Sequence, residues 1–562
     1  MHGLMKFTTG KVCAECSQPY TISSDEERLH KKICESFSIG SFPLPTLCRG
    51  CRLQRKMAWR NERYLHHRTC DACQKSMLSV YPKGTPFPVY ERSCWWGDSW
   101  DAASHGRAFD FSRPFFEQYR DLLHVVPRQA LNLQKSENCD YCNFAFESRN
   151  CYLCQCCYNS ESLLYSYWLL ECKDCIDCSY CFSSERCIQC TDCNHGYNCF
   201  FCVLSHTCTD CTFLYDCRGC TACFGCVGLR RKSYCLFNEQ LTKEKYMQRL
   251  QEFDPQNPLH LSAIKKRMNS LKAEHPHLFS VQEKTEHCTG DYIFESKDCM
   301  DCFQIYRSHD CINVQDAESK DALDCYHPGW SELTYETYSS VSIVNSAFSV
   351  QCWTGNDVYY SDNCQSCSYC FGCISLRNKK YCILNKQYSK EEYDALIPRI
   401  RKHMEKSGEW GLFFPIALSP FPYNESMAQV EFPLLREEVE KRGWEWAPET
   451  GTTTGKETTI WDRIPARIAD VPSSITQEIL ACTLCKKNYK IIPQELARYK
   501  DASLLLPQQC PDCRFMERLK TRNPRKLWSR KCAKCGKGIE TTYSPDRPEI
   551  VYCEECYLKQ VY

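Results

Sequence analysis

The sequence predicts a mostly β chain: a wound, repetitive centre flanked at each end by a pair of small compact modules. Three observations lead there. The cysteines of the middle fall on a three-residue grid, the end of that grid recurs at an offset of 147 residues, and paired CxxC motifs open and close the chain in matching order.

Composition sets the limits. A chain of 562 residues has room for roughly three to five domains. Its formal charge of +1 creates no global field toward nucleic acid or membrane, so any electrostatic role is local. Aromatic residues, 13% of the chain, suffice for real cores. The 49 cysteines are uneven: eight lie in 1–95, twenty-two in 139–235, eleven in 288–382 and eight in 482–556. The opening MHGLMKFTTGKVCAEC has no apolar run that would serve as a signal peptide. No stretch reaches the about 18 apolar residues of a membrane span. The expected compartment is the reducing cytoplasm, where paired cysteines read as metal ligands. A secreted disulfide scaffold is the rival.

Cys13/Cys16 and Cys48/Cys51 are CxxC pairs separated by enough chain for a hairpin or a short helix. The run after Cys51, RLQRKMAWRNERYLHHR, is a good helix former. Two thiolates on a turn and two at a helix start describe a treble-clef-like site. Zinc suits it, because closed tetrahedral sulfur coordination is its structural mode. A helix N-terminus also favours the thiolate. The alternative is two unrelated thiol pairs. A second site takes Cys70, Cys73 and Cys94, with Glu91 where a fourth thiol would sit. A carboxylate can ligate zinc; equally, the site is eroded and empty. Cys34 has no assigned partner and reads as a small buried residue.

The C-terminus repeats this plan. Cys482/Cys485, Cys510/Cys513, Cys532/Cys535 and Cys553/Cys556 form four pairs. At an offset of 462, Cys51, Cys70, Cys73 and Cys94 match Cys513, Cys532, Cys535 and Cys556, and Glu91 matches Cys553. Arg52, Arg60, Asn61, Arg63 and Arg68 match Arg514, Arg522, Asn523, Arg525 and Arg530. The duplication supports zinc at both ends and a ligand role for position 91. The helices after Cys51 and Cys513 are basic. Arg52, Arg55, Lys56, Arg60 and Arg63, with Arg514, Arg518, Arg522 and Arg525, are candidate phosphate contacts for RNA or DNA. The alternative is a solvated helix face. No DNA-reading finger such as Cys2His2 is present.

Residues 95–135 are aromatic-rich and should pack beneath the second site. A helix through Phe115, Tyr119 and Leu122 is expected, with Ser112 as cap and Pro114 in the first turn. Trp95 and Trp96 read as core.

Between Cys139 and Cys235 every cysteine except Cys156 lies on the grid, and one opens each nine-residue block from Cys172 to Cys235. Such self-similarity marks a solenoid, and two nonapeptides, about 18 residues, are the expected coil. Equivalent cysteines of successive coils then lie about 4.8 Å apart. Three readings stay open: a ladder of small interior residues, tetrathiolate sites stapling coil to coil, and disulfides. A helix capped by Thr242 and a second near 260–273 close this half.

The second half repeats the ending: Cys217, Cys220, Cys223, Cys226 and Cys235 match Cys364, Cys367, Cys370, Cys373 and Cys382. Ser389 and Glu392 make a capping box. Between 288 and 352 Val, Ile, Ala, Ser or Tyr fill many rungs, which favours the ladder. Residues 408–470 read as a linker with a short helix around LLREEVEKRG.

The strings CRGCRLQRKMAWRNERYLHHRTCDAC, CWWGDSWD, CFGCVGLRRKSYC and CFGCISLRNKKYC resemble those of a cysteine-rich, zinc-ribbon/treble-clef-like family of candidate-phyla bacteria. The resemblance covers most of the chain. It implies zinc and brings no catalytic residues. The chain departs from that pattern at Glu91, where cysteine is expected.

The expected architecture is therefore a paired zinc module in 1–95, an aromatic connector in 96–135, and solenoid halves in 136–280 and 281–407. A linker in 408–470 and a second paired zinc module in 471–562 complete it. No nucleophile–base pair, HExxH or phosphate loop is visible, and no small-molecule substrate is evident. The expected function is a non-enzymatic zinc scaffold with three or four structural ions and more in the solenoid if its thiols bind metal. Its solenoid spaces terminal modules that contact nucleic acid or a protein complex. The alternatives are thiol-based metal storage or redox buffering, and a metalloenzyme at the three-thiol site.

Overall fold

The computed structural model describes residues 7–312, 319–323, 325–326, 328–329, 331–338, 340–341, 343–448 and 453–562. They form two compact units, one from 1–131 with 280–448, the other from 132–279 with 449–562. Each unit joins one terminal cysteine module pair to one coil stack. The units thus cut across the segments expected from sequence. The N-terminal modules belong with the second stack and the C-terminal modules with the first.

The central prediction of a β-solenoid holds, but its coil is shorter than expected. Gln155 pairs in parallel with Asn143 on one side and Tyr167 on the other, and Tyr167 pairs with Ser179, a step of twelve residues. The same step continues through Ile176, Ile188, Phe200, Thr212 and Phe224. Every third residue is left-handed, as at Asn138, Tyr141, Phe144 and Glu147. Each coil is therefore four sides of three residues with a left-handed residue on each side. The nine-residue spacing of the cysteines is three sides, not half a coil.

Left-handed backbone costs a non-glycine residue roughly 1–2 kcal/mol, and hydrogen bonding opposes that cost. On each side the left-handed residue donates to the previous coil, as Leu153 does to the Asp140 carbonyl at 3.0 Å. The residue before it donates to the next coil, as Tyr152 does to Leu163 at 2.9 Å. At several rungs the third N–H, on the inward residue, is met by the side chain one coil earlier. Cys154 donates to Cys142 Sγ at 3.4 Å, and Cys172 to Ser160 Oγ at 3.1 Å.

This accounts for the cysteines. A buried N–H left unpaired is costly, and the interior is closely packed, mainly by cysteines, with leucine at a few rungs such as Leu163, Leu169 and Leu214. Cysteine and serine fit there, accept that N–H, and donate in turn. The Cys172 thiol donates to the Leu170 and Cys181 carbonyls at 3.4 and 3.2 Å; Ser184 does the same with Phe182 and Cys193 at 3.0 and 3.1 Å. The inward cysteines are buried free thiols. This is the geometry of the ladder, and among the described residues no tetrathiolate group lies in the coils.

The second stack begins with an eleven-residue step, Gln282 to Ile293, and then keeps twelve, Gly290 to Cys302. Gly290 has φ +126°, and a Cβ there would strike the Cys302 carbonyl, so the tightened coil needs glycine. Asn238 and Asn385 close the two stacks in the same way. Asn238 clasps the Val227 backbone at 2.8 Å through both amide atoms, and Asn385 clasps Ile374 at 2.8 and 2.9 Å.

Helices follow as expected. Lys243–Leu250 is capped by Thr242, Pro258–Glu274 follows Asn257, and Lys390–Ser407 has the Ser389/Glu392 capping box. Elsewhere the structure corrects the expectation. The helix after Cys51 ends at Ala58, and His66–Thr69 is a strand. Phe115–Leu123 starts from Pro114, not Ser112; the Glu409 carboxylate accepts from the Phe115 and Phe116 N–H groups at 2.9 and 2.7 Å. Trp95 is buried, but Trp96 is 41% exposed.

The N-terminal part of the expected linker is core. Phe413, Phe414 and Tyr423 are buried, and Trp410 stacks on Phe42 at 4.6 Å. Its expected short helix is Arg436–Lys441. Among the described residues, no helix is long and apolar enough to cross a membrane.

Candidate metal centres

Four hairpin–helix modules share one local plan. The first cysteine pair sits on a hairpin turn. The second pair, or Glu91 with Cys94 in one module, occupies the N-cap and the third position of a helix. The hairpins pair Phe7–Val12 with Pro19–Ser23, His66–Thr69 with Ser76–Ser79, Leu480–Ala481 with Asn488–Tyr489, and Trp528–Lys531 with Gly538–Thr541. The matching helices are Arg49–Ala58, Arg92–Trp96, Pro511–Leu519 and Glu554–Val561.

Each turn is closed by the same two bonds. The residue after the second cysteine is left-handed and donates back to the first cysteine's carbonyl: Ser17 to Cys13 at 3.0 Å, Gln74 to Cys70 at 2.9 Å, Lys486 to Cys482 at 3.0 Å, Gly536 to Cys532 at 2.9 Å. The first cysteine donates across the hairpin, as Cys70 does to Lys75 at 2.8 Å.

Folding therefore gathers the thiols. Cys13, Cys16, Cys48 and Cys51 lie within 4.8 Å of one another, as do Cys482, Cys485, Cys510 and Cys513, and likewise Cys532, Cys535, Cys553 and Cys556. A tetrahedron with metal–sulfur bonds of about 2.3 Å has edges of about 3.8 Å. The Cys16–Cys48, Cys485–Cys510 and Cys535–Cys553 sulfurs are each 3.7 Å apart. The donor set fits a thiophilic, four-coordinate metal.

Within each tetrad the field favours the charged form at some thiols and opposes it at their neighbours, as at Cys510, which burial pushes up to about 11. Cys48 donates its N–H to Cys13 Sγ, and Cys510 to Cys482 Sγ, each at 3.3 Å. Burial raises the Cys482 and Cys532 thiols. Backbone N–H groups outweigh it and bring both down to about 6. The neighbouring Cys51 thiol is the main cause that lowers Cys48 to about 5.

The fourth module is a triad. Cys70, Cys73 and Cys94 are brought together, and Glu91 occupies the N-cap place that Cys48, Cys510 and Cys553 hold elsewhere. Its N–H bonds Cys70 Sγ at 3.3 Å, like theirs. Its carboxylate, however, caps the helix: Ser93 donates to it from N–H at 3.3 Å and from Oγ at 2.6 Å. The Cys94 thiol is 3.8 Å away. Position 91 is the ligand position by backbone, while its side chain is turned to Ser93.

The candidate phosphate contacts point inward. Arg52, Lys56 and Arg60 are buried. Arg52 reaches Glu26 at 3.2 Å and Glu336, on the second stack, at 3.9 Å. Arg60 pairs with Glu62 and donates to Tyr338 Oη at 3.4 Å. Arg55 is held by Glu15 at 2.9 Å. Arg514 meets Asp177 at 2.9 Å and Glu495 at 3.0 Å, Arg518 meets Asp177 at 2.8 Å, and Arg522 meets Asp192 at 2.9 Å. Arg63 and Arg525 are half-buried.

These helices are therefore docking faces against the coils, not exposed basic surfaces. Matching arginines at an offset of 462 was the available signal, since Arg52 and Arg60 and their counterparts Arg514 and Arg522 each meet their own unit's stack. Apolar packing reinforces the dock: Tyr165, Ile176 and Ile188 of the first stack share a core with Ile475, Leu496 and Tyr499.

No family model, curated protein or solved structure matches the chain.

Proposed function

We propose that this chain is a non-enzymatic zinc scaffold for a protein complex. One observation carries the reading: in each unit a thiol cluster fixes the start of a helix, and that helix lies buried against a coil stack. Zinc suits closed sulfur tetrahedra of this size and contributes folding energy directly. Ions in the three tetrads lock hairpin to helix; the triad would take a fourth. The free thiols suit a reducing compartment such as the cytoplasm.

A protein partner fits the surface better than nucleic acid. The arginines expected to meet phosphate are engaged within the chain. One outer file of the first stack alternates in sign, with Arg149 2.9 Å and Lys173 4.0 Å from Glu161. Mixed-sign surfaces select protein partners; a phosphate backbone calls for an unbroken cationic track.

The test is elemental analysis of the purified chain together with fluorescence anisotropy against RNA and DNA. Three or four zinc ions and no salt-sensitive nucleic-acid binding are expected. A folded, zinc-free chain overturns the zinc reading. Tight binding that weakens steeply with salt overturns the protein-partner reading.

A further inference from the structure

The ladder thiols from Cys175 to Cys202 form a lattice, not single files. Cys178, Cys190 and Cys202 follow one another one coil apart at the twelve-residue step, and Cys187, Cys190 and Cys193 occupy successive sides of the coil, all buried in one core. Cys175, Cys187 and Cys199 make the neighbouring column at the same step. Columns and sides together place the sulfurs at the corners of squares. Among the described residues, sets of three or more thiols all within 4.8 Å of one another occur only in the terminal modules. The lattice offers pairs of sulfurs and no tetrahedra, so it is unsuited to zinc.

We propose that this lattice is a binding site for a soft monovalent d10 cation, copper(I), held by two ladder sulfurs at a time. Soft thiolates select copper(I), zinc or iron–sulfur clusters, and of these copper(I) is the one that two sulfurs suffice to hold. Two collinear metal–sulfur bonds, each on the scale of the about 2.3 Å of a zinc–thiolate bond, span about 4.6 Å, close to the about 4.8 Å between adjacent strands.

Charge favours the same ion. A dry interior penalises net charge severely, and a divalent ion on four thiolates leaves two negative charges. A copper(I) replacing each thiol proton leaves none: RSH + Cu(I) gives RS–Cu + H⁺, and each thiolate bridges two cations.

Hydrogen bonding tolerates the exchange. Inward backbone N–H groups bond ladder sulfurs elsewhere in the stack, Cys154 to Cys142 and Asn238 to Cys226, both at 3.4 Å, contacts that suit a thiolate acceptor. The Cys190 thiol donates to the Ile188 and Cys199 carbonyls at 3.6 and 3.3 Å. Those carbonyls also accept backbone N–H groups, from Phe201 at 2.9 Å and Ile188 at 3.0 Å. Losing the thiol proton therefore orphans neither oxygen.

The experiment is an anaerobic titration of the zinc-replete full chain with copper(I) buffered by a competing chelator, following zinc release, proton release and thiolate–copper absorbance. Copper bound well in excess of the zinc released is expected, with about one proton per ion taken into the ladder and a two- or three-sulfur shell by X-ray absorption. The variant Cys178→Ser/Cys187→Ser/Cys190→Ser/Cys199→Ser uses a residue the ladder already contains at Ser184 and Ser205. It should lose the copper of this patch at unchanged zinc content. Copper that enters the parent only as zinc leaves overturns the proposal, whether or not the variant folds. So does a folded variant that binds as much copper as the parent. The zinc count itself stands or falls separately.

Discussion

Arg518 and Asp177 form a buried ion pair, Nη1 to Oδ1 2.8 Å, and Arg514 reaches the other oxygen of the same carboxylate at 2.9 Å. Asp177 is a left-handed residue of the first stack, and its side chain is fully enclosed. One carboxylate thus anchors the helix that carries Cys513. Removing one partner of a buried pair typically costs about 3–5 kcal/mol. Asp177→Ala should lower the unfolding free energy by that amount in urea titration. A change below about 1 kcal/mol would show that the anchor contributes little.

On the zinc reading, a strong chelator at neutral pH should release the metal and loosen each hairpin from its helix, because binding energy here is folding energy. Hydrogen exchange should rise first around Cys482–Cys513 and Cys532–Cys556. The coil stacks should keep their protection, since their bonds involve backbone and ladder side chains. Uniform loss across the chain would contradict this.

Glu91 holds a ligand position without committing its carboxylate. Glu91→Cys should complete the triad and raise metal retention at that module roughly tenfold or more, on the scale by which ligand-sphere changes alter affinity. Chelator competition measures it. Unchanged retention would mean that Cys70, Cys73 and Cys94 already hold their ion fully, or none.

The ladder distinguishes size from chemistry. Cys190→Ser keeps an acceptor and a donor of similar size, and should cost at most about 1 kcal/mol. Cys190→Leu inserts bulk into a packed interior and removes both roles, and should cost about 1–3 kcal/mol or more. Equal effects would argue against hydrogen bonding as the reason for cysteine.

His277 sits between the Tyr215 and Tyr543 hydroxyls, at 3.1 and 3.3 Å, with Glu549, His275 and Lys272 also nearby. Burial is the largest influence and lowers it from 6.5 to about 4. The folded chain therefore keeps His277 neutral where the unfolded chain takes up a proton. Stability is full above about pH 6.5 and falls by roughly 3 kcal/mol as the pH approaches 4. His277→Gln should flatten the pH–stability slope between these limits relative to the parent. A parallel slope would exclude His277 as a contributor.

Much of this architecture could be read from residue spacing. The three-residue grid is the side of a coil, and the cysteine pairs mark each module because a thiol turn and a helix start demand that spacing. The coil length was hidden because nine and twelve are both multiples of three, and cysteine occupies all four inward columns. The arginines misled because a basic helix looks the same whether its counter-charge is phosphate or a distant aspartate such as Asp177. Residues 408–448 misled because Gly and Pro there shape turns around buried aromatics such as Phe414. Glu409 as the cap for Phe115 left no local trace, since the two lie 294 residues apart.

The exchange of partners between chain ends and stacks has a consequence during synthesis. A ribosome releases Cys13 through Cys94 long before the coils they rest on, which begin near residue 280. The first stack likewise waits for Cys482 and beyond. Neither unit can finish until most of the polypeptide has emerged. Docking therefore comes late, and a nascent chain halted near residue 270 would carry two half-dressed surfaces exposed to chaperones or aggregation.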